Sequence, residues 1–199
     1  MYEIAVIGTS WGGLSAVSTV VSGLPATFAL PLVVVQHRSP DAPGLLAELL
    51  QARTRLNVCE VEDKQKILPG CVFIAPPNYH LLIDRGYFAL STDAPVRYSR
   101  PSIDVTFMSA ADEYGKRAIG VVLTGANEDG ALGLKRIADR GGYAIVQDPT
   151  TAESAVMPQA ALRVVSRAHV VPLARMAGHL VTIAPPRPPA PRSVGVHVT

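Results

Sequence analysis

Cysteine is scarce in this chain, and so are long apolar stretches. The sequence contains 2 cysteines, Cys59 and Cys71, and nothing in it suggests export. We therefore expect buried reduced thiols rather than a disulfide, in keeping with a cytoplasmic location. The apolar runs are short and interrupted, which excludes a transmembrane helix. The first residues have the pattern of a strand that contains Glu3, and not that of a signal peptide.

The charge balance excludes several kinds of partner. The formal net charge is +2, which is too small to indicate nucleic-acid binding, and no run of five or six like charges marks a membrane-surface patch. No spacing of histidines or cysteines is typical of a metal site, so we expect no metal. The chain has 199 residues, of which 48% are hydrophobic and 17% charged, as is typical of one globular domain.

Short apolar runs alternate with segments of helical periodicity along the chain. Strands are predicted over 4–7, 30–36, 58–61, 71–75, 118–123, 143–146 and 164–165, and helices over 14–21, 43–52, 103–114, 131–140, 152–162 and 173–183. A hairpin over 80–84 and 87–91 turns at Arg85-Gly86. This order predicts an α/β fold: a doubly wound, mostly parallel sheet with helices on both faces and an antiparallel β-hairpin. Residues 1–184 are expected to form a single domain, and the Pro/Arg-rich segment 185–199 a disordered tail.

A serine stands directly after the first predicted strand. Gly8, Ser10 and Gly12 match the G-x-S-x-G pattern of a nucleophile elbow, a sharp turn that presents a serine hydroxyl. Amides at the start of the next helix point toward the same place and can hold an oxyanion. Taken alone, the pattern fits two other interpretations equally well: a phosphate-binding loop of a dinucleotide fold, or a tight turn without chemistry.

Two further polar residues follow strands of the same predicted sheet. His37 comes after the strand at 30–36, and Asp129 after the strand at 118–123. Because ligands bind beyond the carboxyl ends of parallel strands, Ser10, His37 and Asp129 are expected along one edge as the parts of a hydrolytic triad. His37 is equally a polar strand end, and Asp129 a helix cap. Asp148, which also follows a strand, competes for the role of the carboxylate.

Two familiar interpretations do not fit the order of these residues. The α/β-hydrolases place the serine after several strands and have the acid before the histidine, whereas here the order is Ser10, His37, Asp129. A dinucleotide fold requires an acidic residue about 20 positions beyond its glycines, at the end of the second strand. That place is occupied by Gln36 and His37.

From residue 4 to about residue 183 the chain resembles the catalytic domain of the bacterial chemotaxis protein-glutamate methylesterases, the CheB type. Several separate segments in the order of that family are more specific than any one of them. The similarity rests on Ile7-Gly-Thr-Ser-Trp-Gly-Gly13, Val35-Gln-His37, Arg100-Pro-Ser-Ile-Asp104, Leu123-Thr-Gly125, Asp129-Gly-Ala131, Gln147-Asp148 and Met157-Pro-Gln-Ala160.

The resemblance implies a cytoplasmic serine hydrolase without a cofactor. Such an enzyme hydrolyses glutamate γ-methyl esters on the cytoplasmic helices of methyl-accepting chemoreceptors, releases methanol, and also deamidates certain glutamines there. By the resemblance, Ser10 is the nucleophile, His37 the base and Asp129 the carboxylate, which favours Asp129 over Asp148. The oxyanion loops would be formed around Trp11, Gly12 and Ala126. Neither nucleic-acid binding nor membrane insertion is expected, and the oligomeric state stays open.

This sequence departs from the family pattern in three places. Trp11 stands where the family commonly has threonine, and Ala126-Asn127 where it commonly has Met-Gly. Met1 lies just before the first strand, where family members typically carry a phospho-receiver domain, so we expect activity that a phosphodonor does not change. Two other functions are kept open by these changes: an inactive receptor-binding module of the same fold, or a serine esterase or amidase with another substrate.

Overall fold

The computed structural model describes residues 1–39 and 45–185. Within these residues, strands and helices alternate as predicted, and short 3-10 turns lie at Gly115–Arg117, Pro149–Thr151 and Leu173–Arg175. In chain order the elements are β1 Ile4–Thr9, α1 Gly13–Ser22, β2 Leu32–Gln36, α2 Leu46–Gln51, β3 Asn57–Glu60, β4 Cys71–Ile74, β5 His80–Asp84, β6 Tyr87–Ser91, α3 Ile103–Tyr114, β7 Ala118–Val122, α4 Ala131–Asp139, β8 Tyr143–Gln147, α5 Val156–Val164, β9 His169–Val171 and α6 Met176–Ile183.

A seven-stranded sheet forms the centre of the described fold, in the order β3-β4-β2-β1-β7-β8-β9. Every neighbouring pair in it is parallel, and β5 and β6 form a separate antiparallel hairpin. The chain builds outward from β1 on one side and then returns to add β7 on the other side. The order of strands therefore reverses between β1 and β7, where sheets of this kind bind their ligands.

Both faces of the sheet are buried, which explains the continuous apolar runs of its strands. Successive residues of β1 point to opposite faces: Ile4 and Val6 belong to one core, and Ala5 and Ile7 to the other. The first core is closed by α3, α4, α5 and the hairpin, and the second by α1, α2 and α6. The predicted fold class, with helices on both faces, is thus confirmed.

The hairpin has the predicted bounds and packs on α3. Its turn places Arg85 at φ 48° and Gly86 at φ 81°, the left-handed pair that closes a two-residue hairpin. Thr106 on α3 donates to the Leu81 carbonyl at 2.7 Å. The hairpin thereby holds α3 in place, and the first turn of α3 becomes part of the site described below.

The structure differs from the prediction mainly near the end of the sheet. The strand predicted at 164–165 is wrong, because Val164 ends α5 and the strand is His169–Val171. This strand lies at the sheet edge with His169 exposed, so it lacks an apolar run. Pro158 does not interrupt α5, since it lies in the first turn, where no backbone N–H is required. Residues 43–44 of the second predicted helix and 186–199 of the predicted tail lie outside the described residues.

Candidate active site

Ser10 lies in a tight turn between β1 and α1. The Ser10 N–H donates to the Thr124 carbonyl at 3.0 Å, and the Gly13 N–H donates to the Ser10 carbonyl at 2.9 Å. Gly12 has φ 75°, and a Cβ there would come within 2.6 Å of the Glu153 carboxylate. A Cβ on Gly8 would come within 2.2 Å of Ile103 Cγ2. Both glycines of the elbow pattern are therefore required by the backbone, one for its conformation and one for close packing.

Ser10 and His37 line the same open cleft, of about 930 Å3. Trp11, Gly12 and Ala126, the residues expected in the oxyanion loops, also line it. Ser10 is partly exposed, and Trp11 keeps 65% of its surface in solvent at the rim. No hydrogen bond joins Ser10 to His37 within residues 1–39 and 45–185. Within the described residues the two side chains thus line one cavity without a hydrogen bond between them.

The His37 ring is held at both nitrogens. Its Nε2 lies 2.8 Å from Asp129 Oδ2, and its Nδ1 lies 3.2 Å from the Asn127 side-chain nitrogen. The backbone places it as well, because the His37 N–H donates to the Thr9 carbonyl at 3.1 Å. Only 12% of the His37 side chain is exposed. The carboxylate fixes the proton on Nε2, so the lone pair of the neutral ring is on Nδ1.

Asp129 is completely buried beneath the histidine, yet its carboxylate is ionised. Burial alone would raise the pKa of this carboxyl, but the hydrogen bond from His37 and the backbone amides of Asp104 and Ile103 outweigh burial and lower the pKa below its ordinary value. The hydrogen bonds come from His37 Nε2 at 2.8 Å, Ile103 N at 2.7 Å, Asp104 N at 3.0 Å, Ser102 Oγ at 3.0 Å and Gly130 N at 3.1 Å.

The first turn of α3 forms the base of the site. Its N-terminal amides point at Asp129, and a helix N-terminus favours a negative charge. Asp104 extends this turn toward α4 by accepting the Gly133 N–H at 2.7 Å. Burial raises the pKa of Asp104, with Asp129 adding to the rise. A serine just before a helical pattern predicts an N-cap, and Ser102 Oγ indeed accepts the Val105 N–H at 3.4 Å. Its hydrogen bond to Asp129 could not be predicted from the sequence, because Asp129 lies 27 positions away.

Trp11 and Ala126 line the cleft, and their backbone amides have no hydrogen-bond partner within the described residues. The turn that carries Trp11 is nevertheless rigid, since its carbonyl accepts from Thr124 Oγ1 at 2.9 Å. Unpaired amides fixed beside a candidate nucleophile are the donor arrangement that an oxyanion requires. Replacing the family's methionine by Ala126 leaves the backbone donor available.

A buried polar network connects the loops under the cleft. Gln36 donates to the Ser10 carbonyl at 2.8 Å, and Thr9 Oγ1 donates to the Thr124 carbonyl at 2.8 Å. The Thr124 N–H in turn donates to Gln147 Oε1 at 2.9 Å. These side chains are at most 9% exposed. They link the carboxyl ends of four strands, and their mutual contacts could not be predicted from the sequence.

Other polar residues that the sequence singled out lie elsewhere or are already paired. Asp148 is partly exposed and accepts from Thr150 N at 2.9 Å, so it caps a local turn and makes no hydrogen bond to the histidine. Three arginines could attract an acidic substrate by their place in the sequence, but each has a partner: Arg38 is buried against Glu60 at 2.7 Å, Arg97 lies 3.8 Å from Glu128, and Arg100 donates twice to Asn78. Among the described residues no cluster of histidine, cysteine, aspartate and glutamate could hold a metal ion.

The family model for CheB methylesterase matches residues 5–180. The chain belongs to the CheB methylesterase family. A relative from Leptospira interrogans, assigned to the protein-glutamate methylesterases/protein-glutamine glutaminases, is 46% identical over 177 residues, which cover 88% of this chain and 92% of the relative. These matches confirm the family and the enzyme class predicted from the sequence.

A solved structure and a longer relative extend the comparison within the CheB family. The crystal structure of the Thermotoga maritima CheB methylesterase catalytic domain has a TM-score of 0.87 and 33% identity, over 92% of this chain and 99% of that chain. Protein-glutamate methylesterase/protein-glutamine glutaminase 1 of Carboxydothermus hydrogenoformans is 40% identical over 181 residues, but this chain spans only 53% of it. No helix within residues 1–39 and 45–185 is long and apolar enough to cross a membrane.

Proposed function

We propose that Ser10, His37 and Asp129 are the catalytic triad with which this CheB-type enzyme hydrolyses glutamate γ-methyl esters on the cytoplasmic helices of chemoreceptors. The observation that carries the proposal is the His37–Asp129 contact of 2.8 Å, directly below a cleft that Ser10 lines. A serine hydroxyl is a poor nucleophile until a base takes its proton. The ionised Asp129 keeps His37 in the tautomer that can do so.

The reaction proceeds in two steps. Ser10 Oγ attacks the ester carbonyl while its proton passes to His37 Nδ1, and methanol leaves with that proton. Water, deprotonated by the same nitrogen, then attacks the acyl-enzyme, and the serine–acyl bond breaks to release glutamate. The amides of Trp11 and Ala126 hold the oxyanion in both steps, and each such donor is worth about 3 kcal/mol of barrier. With a glutamine side chain the leaving group is ammonia, which gives the deamidase activity.

The surroundings of the cleft suit a helical protein substrate. Trp11, Leu14 and Leu49 are each at least 42% exposed and line the cleft, and Arg53 adds a positive charge beside them. An amphipathic helix with glutamates on its surface matches this combination of apolar and basic groups. The substrate is the reason for expecting this domain in the cytoplasm.

The proposal is tested by the release of methanol from a receptor cytoplasmic fragment that carries labelled methyl esters. We expect Ser10→Ala to lower kcat by about 10^4-fold or more while the receptor still binds. Ser18, a second serine of the cleft, supplies the control: Ser18→Ala should retain the wild-type rate within about 2-fold. Normal turnover by Ser10→Ala would refute the assignment of the nucleophile. If the wild type binds the receptor without turnover, an inactive binding module is favoured. If the wild type neither binds the receptor nor releases methanol, another substrate is favoured.

A further inference from the structure

The side chain of Asn127 contacts Nδ1 of His37, the ring nitrogen that acts as the base in the proposed mechanism. The Asn127 side-chain nitrogen is 3.2 Å from His37 Nδ1, while His37 Nε2 is engaged by Asp129. Because Nε2 holds the proton, Nδ1 accepts a hydrogen bond from the Asn127 amide. This is the same lone pair that must receive the proton of Ser10 in the proposed function, on which the inference rests.

The orientation of the Asn127 amide is fixed by a second contact. Its Oδ1 accepts the Asp129 N–H at 3.1 Å. A carboxamide whose oxygen is bound on one side presents its NH2 group on the other side, toward His37. Reversing the amide would bring its NH2 group against the Asp129 N–H, a contact between two donors. The loop therefore holds Asn127 as a donor to the ring and not as an acceptor.

We propose that Asn127 is a positioning residue that competes with Ser10 for His37 Nδ1, so that the free enzyme rests in a capped state. The absence of a Ser10–His37 hydrogen bond within residues 1–39 and 45–185 agrees with this assignment. Before proton transfer the amide must turn away from the ring. A neutral hydrogen bond of this kind is worth a factor of about 2 to 10 in an equilibrium, so the cap slows the reaction without preventing it.

The competition predicts that two substitutions of Asn127 change the reactivity of Ser10 in opposite directions. Asn127→Ala removes the donor and leaves Nδ1 free, so Ser10 should become more reactive by about 2- to 10-fold. Asn127→Asp keeps an oxygen for the Asp129 N–H but places an acceptor at Nδ1, which then holds a proton of its own. That ring cannot act as a base, and the reactivity of Ser10 should fall by about 10-fold or more. A residue that only supported the loop would lower the rate in both variants.

The experiment measures how fast diisopropyl fluorophosphate labels Ser10, followed by intact mass, because this probe reports the activated serine for any substrate. Asn127→Gly, the residue that the family commonly has, is measured beside Asn127→Ala in case one variant folds poorly. Glu128→Ala is the control on the same loop, since Glu128 is exposed and bonds Arg163 at 2.8 Å, away from the ring. We expect the control to react at the wild-type rate.

Long-range proton–nitrogen NMR spectra of His37 give a readout that is independent of turnover. We expect Nδ1 to be unprotonated in the wild type and protonated in Asn127→Asp. In Asn127→Ala, Nδ1 should stay unprotonated, and its nitrogen chemical shift should change because the hydrogen bond from Asn127 is lost. Slower or unchanged labelling of Asn127→Ala and Asn127→Gly would overturn the proposal. If these variants label faster but the wild type releases no methanol, the proposed substrate fails and the inference stands. If the wild type releases methanol but the labelling rate does not change in the Asn127 variants, the proposed function stands and the inference fails.

Discussion

Replacing Asp129 by asparagine changes one atom of the site and should disable it. The two oxygens of Asp129 have different partners. Oδ2 accepts from His37 Nε2 and Ile103 N, whereas Oδ1 accepts from Ser102 Oγ and two backbone N–H groups. The new NH2 group of Asp129→Asn will take the Oδ2 position, because only one backbone donor opposes it there instead of two.

The histidine then responds in a definite way. With an NH2 group facing it, His37 Nε2 becomes an acceptor, and the proton of the neutral ring moves to Nδ1. Nδ1 can no longer take the proton of Ser10, so we expect kcat/KM to fall by about 10^3- to 10^4-fold. The Ile103 N–H loses its acceptor and the buried charge is gone, which together should lower the free energy of unfolding by about 3 kcal/mol.

The assay combines methanol release from methylated receptor with urea unfolding, both at the same neutral pH. Asp148→Asn is the matched control, since Asp148 also follows a strand but is partly exposed and caps a local turn. Its kcat/KM should stay within about 2-fold of the wild-type value. A loss of less than about 10-fold in Asp129→Asn, with the protein folded, would refute the role of Asp129 behind the histidine.

Two further changes test the supports of the site. Burial raises the pKa of Asp104, so the ionised side chain opposes folding at neutral pH, and this cost disappears as the pH falls through the raised pKa. Asp104→Asn should therefore not lower the free energy of unfolding at pH 7, and any gain in stability over the wild type should shrink on acidification in urea titrations. A large loss of stability at pH 7 would contradict this reasoning. Gly12→Ala forces a Cβ against Glu153 at φ 75° and should lower kcat/KM by about 10-fold or more. The control is Gly86→Ala, at φ 81° in open space, which should lower the free energy of unfolding by about 1 kcal/mol and leave kcat/KM unchanged. Equal activities of the two variants would show that the turn at Gly12 tolerates a side chain.

Much of the fold follows from local patterns in the sequence. The buried strands have continuous apolar runs because both faces of the sheet are covered, and Arg85-Gly86 marks the hairpin turn because glycine reaches positive φ at no cost. The edge strand His169–Val171 could not be predicted in this way, because two of its three residues are exposed and it lacks a continuous apolar run. The order of strands does not follow from local patterns, because it depends on contacts between residues far apart in the chain.

The site divides in the same way. Ser10, His37 and Asp129 could be named as candidates because each follows a strand whose end lies at one edge of the sheet. The choice of Asp129 over Asp148, which also follows a strand, came only from the family resemblance. Ser102 could be predicted as a helix N-cap, but its hydrogen bond to Asp129 and the contact of Asn127 with His37 could not, because each depends on an atom of a residue far away in the chain. Asn127 entered the sequence analysis only as a departure from a family pattern, and its contact with Nδ1 is what gives that departure a chemical meaning.

The central claim is that Ser10 and Asp129 act through His37 as one unit, and a double-mutant cycle tests it most directly. The measurement is kcat for methanol release by Ser10→Ala, by Asp129→Asn and by the variant with both changes. If the three residues work together, the double variant is no slower than Ser10→Ala alone, within about 2-fold, because the unit is already lost. Two losses that multiply would contradict the account.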